Sequence, residues 1–201
     1  MTGIVDYGAG NLFSLTCSLE KIGEQSLVSS DEKVLLSCDR LILPGVGAFA
    51  DAAQKLKTSG LDTAVKQFAA KRKPLLGICL GMQLLFDKSY EGGEEEGLKL
   101  LRGEVVNLSG AAFNLKVPQI GWNSLSFKKS CPLFKYITAG DWVYFVHSYH
   151  AVGCDESLAA TCNYGKDITA AVAKDNIFGT QFHPEKSGDA GLKILKAFCE
   201  L

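Results

Sequence analysis

The chain has 201 residues, of which 47% are hydrophobic and 21% are charged, and its formal net charge is −1. This composition excludes a disordered chain, and it provides no electrostatic field to attract nucleic acid or an anionic membrane. No stretch reaches the roughly 18 apolar residues of a spanning helix, and the N-terminus lacks the pattern of a signal peptide. We therefore expect one globular domain over residues 1–201, with no nucleic-acid or membrane partner.

The first 90 residues alternate short apolar strands with helices. Asn11 is placed to cap the first helix, in which leucines recur at helical spacing until Gly23. Such alternation implies right-handed crossovers and a parallel sheet that is covered on both faces. The pattern predicts strands at 2–6, 26–29, 40–43 and 75–78, and helices at 12–22, 31–37, 49–57, 61–71 and 82–88.

After Gly97 the pattern changes to short strands that are rich in aromatic and β-branched residues. No linker separates the two halves, so we expect antiparallel additions to one mixed sheet. The acidic run at 91–96 predicts a solvated loop. The predicted strands are 104–108, 115–120, 124–127, 142–148, 158–163, 170–173 and 178–182, followed by a helix at 190–200.

The seven cysteines are odd in number, scattered, and never in a C-x-x-C pair. This distribution argues against a disulfide framework and against a thiolate zinc site. It is typical of a reduced, cytoplasmic protein whose cysteines are mostly small buried residues.

One cysteine stands in a different setting, Gly77-Ile78-Cys79-Leu80-Gly81, between a predicted strand and a predicted helix. The stretch has the G-x-nucleophile-x-G form of a nucleophile elbow, with cysteine in place of serine. β-Carbons two residues to either side of the nucleophile would collide with neighbouring backbone. The thiol would lie at the amino end of a helix, which stabilises a thiolate. A buried cysteine at a glycine-rich strand end is the alternative interpretation.

A cysteine nucleophile needs a base, and the chain has three histidines. His183 precedes Pro184, which favours an extended backbone, so Glu185 would lie on the same side as His183 and orient its ring. His147 and His150 are rival bases. Because they are three residues apart on a predicted strand, their side chains face opposite sides and make a poor pair of metal ligands. We therefore expect no metal site.

Two glycine turns follow the first and third strands. The turn Pro44-Gly45-Val46-Gly47 exposes backbone N–H groups which, with that of Leu80, could form an oxyanion hole if its strand neighbours the one before Cys79. An ordinary turn is the alternative. Gly8-Ala9-Gly10 suggests a dinucleotide site, but the fingerprint fails at Phe13 and no Walker loop is present, so we expect no cofactor.

Taken together, the 44–47 turn, the segment from Gly77 to Gln83 and the His183-Pro184-Glu185 triplet resemble the class I (triad) glutamine amidotransferases. The resemblance covers the whole chain. It implies a flavodoxin-like, three-layer α/β fold with a central mixed, mostly parallel sheet and helices on both faces. Four further segments are similar to the HisH family, the glutaminase subunits of imidazole glycerol phosphate synthase: 6–11, 118–123, 144–149 and 182–187. Ala48 is a departure, since some relatives carry histidine there.

The resemblance implies hydrolysis of L-glutamine to glutamate and ammonia by Cys79, His183 and Glu185 through a glutamyl thioester. Leu80, Val46 and Gly47 would form the oxyanion hole. The implied glutamine-binding residues are Gln83, Gly45, Ser148 and Tyr149.

The family passes its ammonia to a (β/α)8-barrel cyclase subunit, HisF, in a heterodimer that makes imidazole glycerol phosphate and AICAR in histidine biosynthesis. The stretch 118–123 is expected at that interface, with Trp122 as an anchor or, alternatively, as a core aromatic. The other interface residues are Pro118, Gln119, Ile120 and Asn123. A glutaminase of another amidotransferase and a different elbow-cysteine hydrolase remain as alternatives.

Overall fold

The strands assemble around an eight-stranded sheet in a computed structural model that describes residues 1–110 and 115–201. Five neighbouring strands are parallel, and three more extend the sheet antiparallel at one edge. The order across the sheet is β2 (Ser26–Ser29), β1 (Thr2–Val5), β3 (Arg40–Leu43), β4 (Leu75–Ile78), β14 (Ile177–Thr180), β13 (Lys166–Lys174), β12 (Leu158–Tyr164) and β9 (Ser126–Phe127).

Helices cover both faces of this sheet, as predicted. On one face, α1 and α6 contribute leucine, isoleucine and phenylalanine side chains to a buried cluster. On the other face, α2, α3 and α4 pack on a second cluster. The helices are α1 (Leu12–Lys21), α2 (Glu32–Ser37), α3 (Phe49–Thr58), α4 (Leu61–Ala70), α5 (Leu80–Gln83) and α6 (Gly188–Cys199).

Local side-chain chemistry explains where these helices begin. Asn11 Oδ1 accepts a hydrogen bond from the Ser14 N–H at 3.3 Å, and Asp31 Oδ1 accepts one from the Lys33 N–H at 2.7 Å. Ala48, at the start of α3, has no side chain that can cap. The Phe49 N–H instead donates to Glu91 Oε2 at 2.9 Å, so a residue far along the chain supplies the cap.

The expectation of a single mixed sheet was wrong for part of the second half. Two smaller sheets stand apart from the main one: β8 (Gln119–Ser124) pairs with β10 (Trp142–His147), and β11 (Tyr149–Val152) joins β7 (Glu104–Asn107), β5 (Lys88–Ser89) and β6 (Glu95–Glu96). The chain changes sheet at Ser148. Residues 115–118 precede β8 rather than forming part of it. An alternating pattern identifies a strand but not its partner.

The predicted helix at 82–88 was also wrong. α5 is a single turn that ends at Gln83. Its continuation is prevented because the following carbonyls bond to a returning segment: Leu98 N donates to Leu84 O at 2.7 Å, and Leu100 N donates to Leu85 O at 2.9 Å. In the described residues no helix is both long and apolar enough to cross a membrane.

Candidate active site

Cys79 lies on the tight turn between β4 and α5, at the carboxyl edge of the parallel strands. Its backbone has φ 53° and ψ −109°, a conformation that non-glycine residues rarely adopt. A β-carbon at Gly77 would lie 2.6 Å from the Gly81 carbonyl oxygen, and one at Gly81 would overlap the Leu43 carbonyl oxygen. Both glycines are therefore required by close backbone approach, and the turn fixes the thiol above the sheet edge.

His183 follows β14, the parallel neighbour of β4, and so reaches the same sheet edge. Its Nδ1 lies 2.8 Å from Glu185 Oε1, and both side chains are almost fully buried. Burial lowers the pKa of His183, but hydrogen bonds and charge from Cys79 and Glu185 outweigh it and raise the pKa to about 10. The structure thus places a buried histidine with a raised pKa on the same pocket as the Cys79 sulfur.

The two rival histidines have different surroundings. His147, at the end of β10, faces the Tyr149 carbonyl oxygen at 2.8 Å and Gln119 Oε1 at 2.9 Å. Burial lowers the pKa of His147 to about 4, and burial with the charge of Lys166 lowers that of His150 to about 4. With both nitrogens of its ring engaged, His147 is not placed to act as a base. No group of three or more potential metal ligands occurs in residues 1–110 and 115–201.

A pocket of about 410 Å³ opens in front of Cys79 and His183. Most of the residues that sequence reasoning assigned to the oxyanion hole and to glutamine binding line it. They are Val46, Gly47, Leu80, Gln83, Ser148 and Tyr149.

Gly45 does not line this pocket, in contrast to the expectation. It packs behind the pocket, where a β-carbon would lie 2.8 Å from Gly81 N and 2.8 Å from the Tyr7 hydroxyl. Tyr7 donates a hydrogen bond to the Pro44 carbonyl at 2.8 Å. Gly45 is therefore required as glycine by close packing of the loop, and its part in binding glutamine stays a prediction.

Two of the side chains that sequence reasoning missed at the site are Glu91 and Gln181. Glu91, assigned to a solvated loop, lies on the pocket wall. No feature of the acidic run 91–96 distinguishes it from its neighbours. Gln181 is fully buried and reaches Cys79 Sγ with its side-chain nitrogen at 3.7 Å. Its position two residues before His183, beside an apolar strand, was a usable signal, because residues two apart in an extended segment face the same side.

The stretch predicted for a partner interface divides between two faces of β8. Ile120 and Trp122 are exposed, at 63% and 48%, which excludes the interpretation of Trp122 as a core aromatic. Pro118 is exposed and Asn123 is partly buried. Gln119 corrects the expectation: its side chain is completely buried against His147, because the alternation of the strand turns it inward.

A sheet-edge cysteine beside a buried His–Glu pair, on a mixed α/β sheet, defines a cysteine hydrolase of the triad type. The family profile described as "Glutamine amidotransferase class-I" matches residues 3–200. Two solved structures share the fold. They are one titled "Crystal structure of glutamine amidotransferase", with a TM-score of 0.76, 18% identity and 98% of each chain covered, and PurLQS from Thermotoga maritima, with a TM-score of 0.73, 20% identity and 99% and 97% covered.

Sequence comparison also finds more specific relatives. Imidazole glycerol phosphate synthase subunit HisH from Caldanaerobacter subterraneus subsp. tengcongensis is 51% identical over 202 residues, covering 100% of this chain and 98% of the relative. The HisH subunit from Wolinella succinogenes is 50% identical over 204 residues, covering 100% of both. The chain therefore belongs to the class-I glutamine amidotransferase family, within its group of HisH subunits.

Proposed function

We propose that the chain is the glutaminase subunit of imidazole glycerol phosphate synthase. It hydrolyses L-glutamine to glutamate and ammonia, and it passes the ammonia to a cyclase subunit. One observation carries the chemistry: Cys79 and the buried His183 line the same pocket, and Glu185 bonds the His183 ring at 2.8 Å. Sequence identity of about 50% with HisH subunits over the full chain supports the biosynthetic role. Residues 1–201 act as one glutamine amidotransferase domain, in the cytoplasm.

The reaction begins with attack of the Cys79 thiolate on the side-chain amide carbon of glutamine. His183, protonated at neutral pH, gives its proton to the departing ammonia. A glutamyl thioester remains on Cys79. His183 then takes a proton from water, the hydroxide attacks the thioester carbonyl, and glutamate leaves as the thiolate re-forms. Glu185 keeps the imidazole oriented and stabilises its positive charge in both steps.

The oxyanion of each tetrahedral intermediate is held by backbone N–H groups. Leu80 supplies one from the first residue of α5, and the loop residues Val46 and Gly47 supply the other from across the pocket. Loss of one such donor typically costs about 3 kcal/mol of transition-state stabilisation. The Tyr7–Pro44 hydrogen bond anchors the start of this loop.

Glutamine is a zwitterion, and the pocket wall carries charges of both signs, from Glu91 and Lys186. Glu91 faces the ammonium group of the substrate. The side-chain N–H of Gln83 donates a hydrogen bond to the Tyr149 carbonyl at 2.9 Å. The amide oxygen of Gln83 is then left to bond the substrate. The backbone of Ser148 and Tyr149 completes the glutamine pocket.

The partner is a HisF-type (β/α)8-barrel cyclase, bound as a heterodimer. Its docking surface, here called the β8 face, consists of Pro118, Ile120, Trp122 and Trp142. All four side chains are exposed, and Trp142 is 59% exposed. Exposed aromatic residues on a sheet are typical interface anchors. Pro118 also lines the pocket, so the β8 face is continuous with the site where ammonia forms.

The test replaces Cys79 with alanine in the assembled synthase and measures product formation from glutamine and from ammonium salts. We expect glutamine-dependent synthesis to disappear and ammonia-dependent synthesis to remain. Retained use of glutamine by the variant would reject the assignment. A parent complex that hydrolyses another amide or peptide faster than glutamine would favour a different elbow-cysteine hydrolase.

A further inference from the structure

Gln181 is a buried polar side chain that the mechanism above does not use. It follows β14, is completely buried, and its backbone N–H donates to the Ala170 carbonyl at 2.8 Å. A primary amide is costly to bury unless its polar atoms are hydrogen-bonded. Both ends of this one have partners: Oε1 accepts from Gln83 Nε2 at 3.1 Å, and Nε2 donates to Cys79 Sγ at 3.7 Å.

The neighbours fix which end of the Gln181 amide faces the sulfur. The Tyr149 carbonyl can only accept, so the nitrogen of the Gln83 amide must face it. That same nitrogen also points at Gln181, so Gln181 must present its oxygen there. The Gln181 nitrogen is consequently left against Cys79. An amide flip would set two nitrogens against each other and place an oxygen against the sulfur.

We propose that Gln181 is a catalytic residue that donates an N–H to the Cys79 sulfur and, through its other end, orients the Gln83 amide in the glutamine pocket. The proposal rests on the proposed function and deepens it. An N–H donor stabilises the thiolate before attack and again when the thioester breaks, since negative charge returns to sulfur. Because the same Gln181 amide bonds both Cys79 and Gln83, it also holds the nucleophile and the substrate-binding residue in a fixed relative position.

Several titratable groups face Cys79 from the elements packed around it, and the variants described below leave all of them in place. They are Tyr7 beyond β1, His183 with its partner Glu185 beyond β14, and Glu91, His147, Tyr149 and Lys186 around the pocket. A change in the reactivity of the sulfur is then attributable to the lost amide.

The experiment compares Gln181→Met, which keeps the volume and loses both hydrogen bonds, with Thr180→Val. Thr180 is the matched control, because it is fully buried next in the chain and its hydroxyl has no partner in the described residues. The pH dependence of Cys79 alkylation by iodoacetamide is measured on the full chain. Glutamine kinetics are measured on the complex with the cyclase.

For Gln181→Met we expect the alkylation midpoint to rise by about one pH unit, with alkylation about tenfold slower below the midpoint. We expect KM for glutamine to rise about fivefold, since Gln83 loses an acceptor. Thr180→Val should leave the midpoint unchanged and should keep the alkylation rate and KM within about twofold of the parent. Parent-like midpoint, alkylation rate and KM in Gln181→Met would overturn the proposal.

A second measurement needs no variant and stands if Gln181→Met does not fold. In the isotope-labelled parent chain, the side-chain N–H signals of Gln181 should shift with the ionisation of Cys79. Those of Gln119, a buried amide bonded to Asn123 and His147, should stay unchanged over the same range. Invariant Gln181 signals would overturn the proposal. If the parent complex fails to use glutamine while the Gln181 signals still follow the sulfur, the proposed function fails and the assignment of Gln181 stands.

Discussion

Two buried regions of this protein lie side by side and treat histidine in opposite ways. The catalytic edge (Cys79, His183 and Glu185) raises the pKa of its histidine to about 10, whereas the polar strip behind it (Gln119, His147 and His150) lowers both of its histidine pKa values to about 4. Burial lowers the pKa of the histidine in every case.

The difference comes from the partners. His183 has a sulfur and a carboxylate beside it, and both can carry negative charge. His147 has a backbone carbonyl and a neutral amide beside it, and the hydrogen bond to the carbonyl raises its pKa by less than burial lowers it. A buried histidine therefore keeps its charge only where anionic groups surround it. In the catalytic edge, these groups are the nucleophile and the carboxylate that orients the histidine.

The largest expected effect comes from removing the charged ring of the catalytic edge. His183→Ala should lower kcat/KM for glutamine by at least about 10⁴-fold in the complex, because acid, base and thiolate stabilisation are lost together. Steady-state glutaminase kinetics measure it. His147→Ala serves as the comparison from the polar strip. A loss as large in His147→Ala as in His183→Ala would contradict the contrast between the regions.

Next in size is Glu185→Gln, which keeps the shape of the catalytic edge and removes its carboxylate. We expect kcat to fall about 10³-fold, since the imidazole loses the group that orients it and stabilises its charge. The pKa of His183 should move down, because one of the two groups that raise it is gone. A pH–rate profile of the variant identical to that of the parent would refute this role.

The polar strip yields a stability prediction. His150 is neutral in the folded protein at pH values where the unfolded chain binds a proton, so stability is full above its unfolded pKa of about 6.5 and falls as pH drops toward about 4. His150→Leu should remove this dependence. Between about pH 7 and pH 4 the parent should lose about 3 kcal/mol more free energy of unfolding than the variant. Denaturant titrations at both pH values measure this loss. Equal changes in the free energy of unfolding in the parent and the variant would contradict the prediction.

The smallest effect concerns the outward side of β8, whose inward residue Gln119 belongs to the polar strip. Trp122→Ala should weaken cyclase binding by about 2 kcal/mol, or 30-fold, while leaving the unfolding midpoint unchanged, because the side chain is half exposed. Leu27→Ala, on the edge strand β2, is the control. Calorimetric titration with the cyclase measures both, and equal affinities of the two variants would argue against the β8 face.

The parallel half of the fold was predictable from the sequence. β3 and β4 have the bounds that their apolar runs predict, because strands buried on both faces are largely apolar and end at turn residues. The elbow was predictable for the same kind of reason: Gly77 and Gly81 meet backbone at distances that exclude a β-carbon.

The sheet to which each later strand belongs was not predictable. The segment 142–152 reads as strand, yet it breaks at Ser148 between two different sheets. Gln119 and Glu91 illustrate the same limit, since pairing and loop packing far along the chain decide which way a polar side chain points. Gln181 was within reach, as a polar residue at the spacing that faces Cys79.

The charge state of His183 tests the central claim most directly. Nitrogen-15 NMR of the ring in the full chain at about pH 8 distinguishes imidazolium from neutral imidazole, whose ordinary pKa is about 6.5. We predict a doubly protonated ring in the parent, with a lower titration midpoint in Cys79→Ala. A neutral His183 ring at that pH in the parent, titrating near its ordinary value, would contradict the buried ion pair on which the mechanism depends.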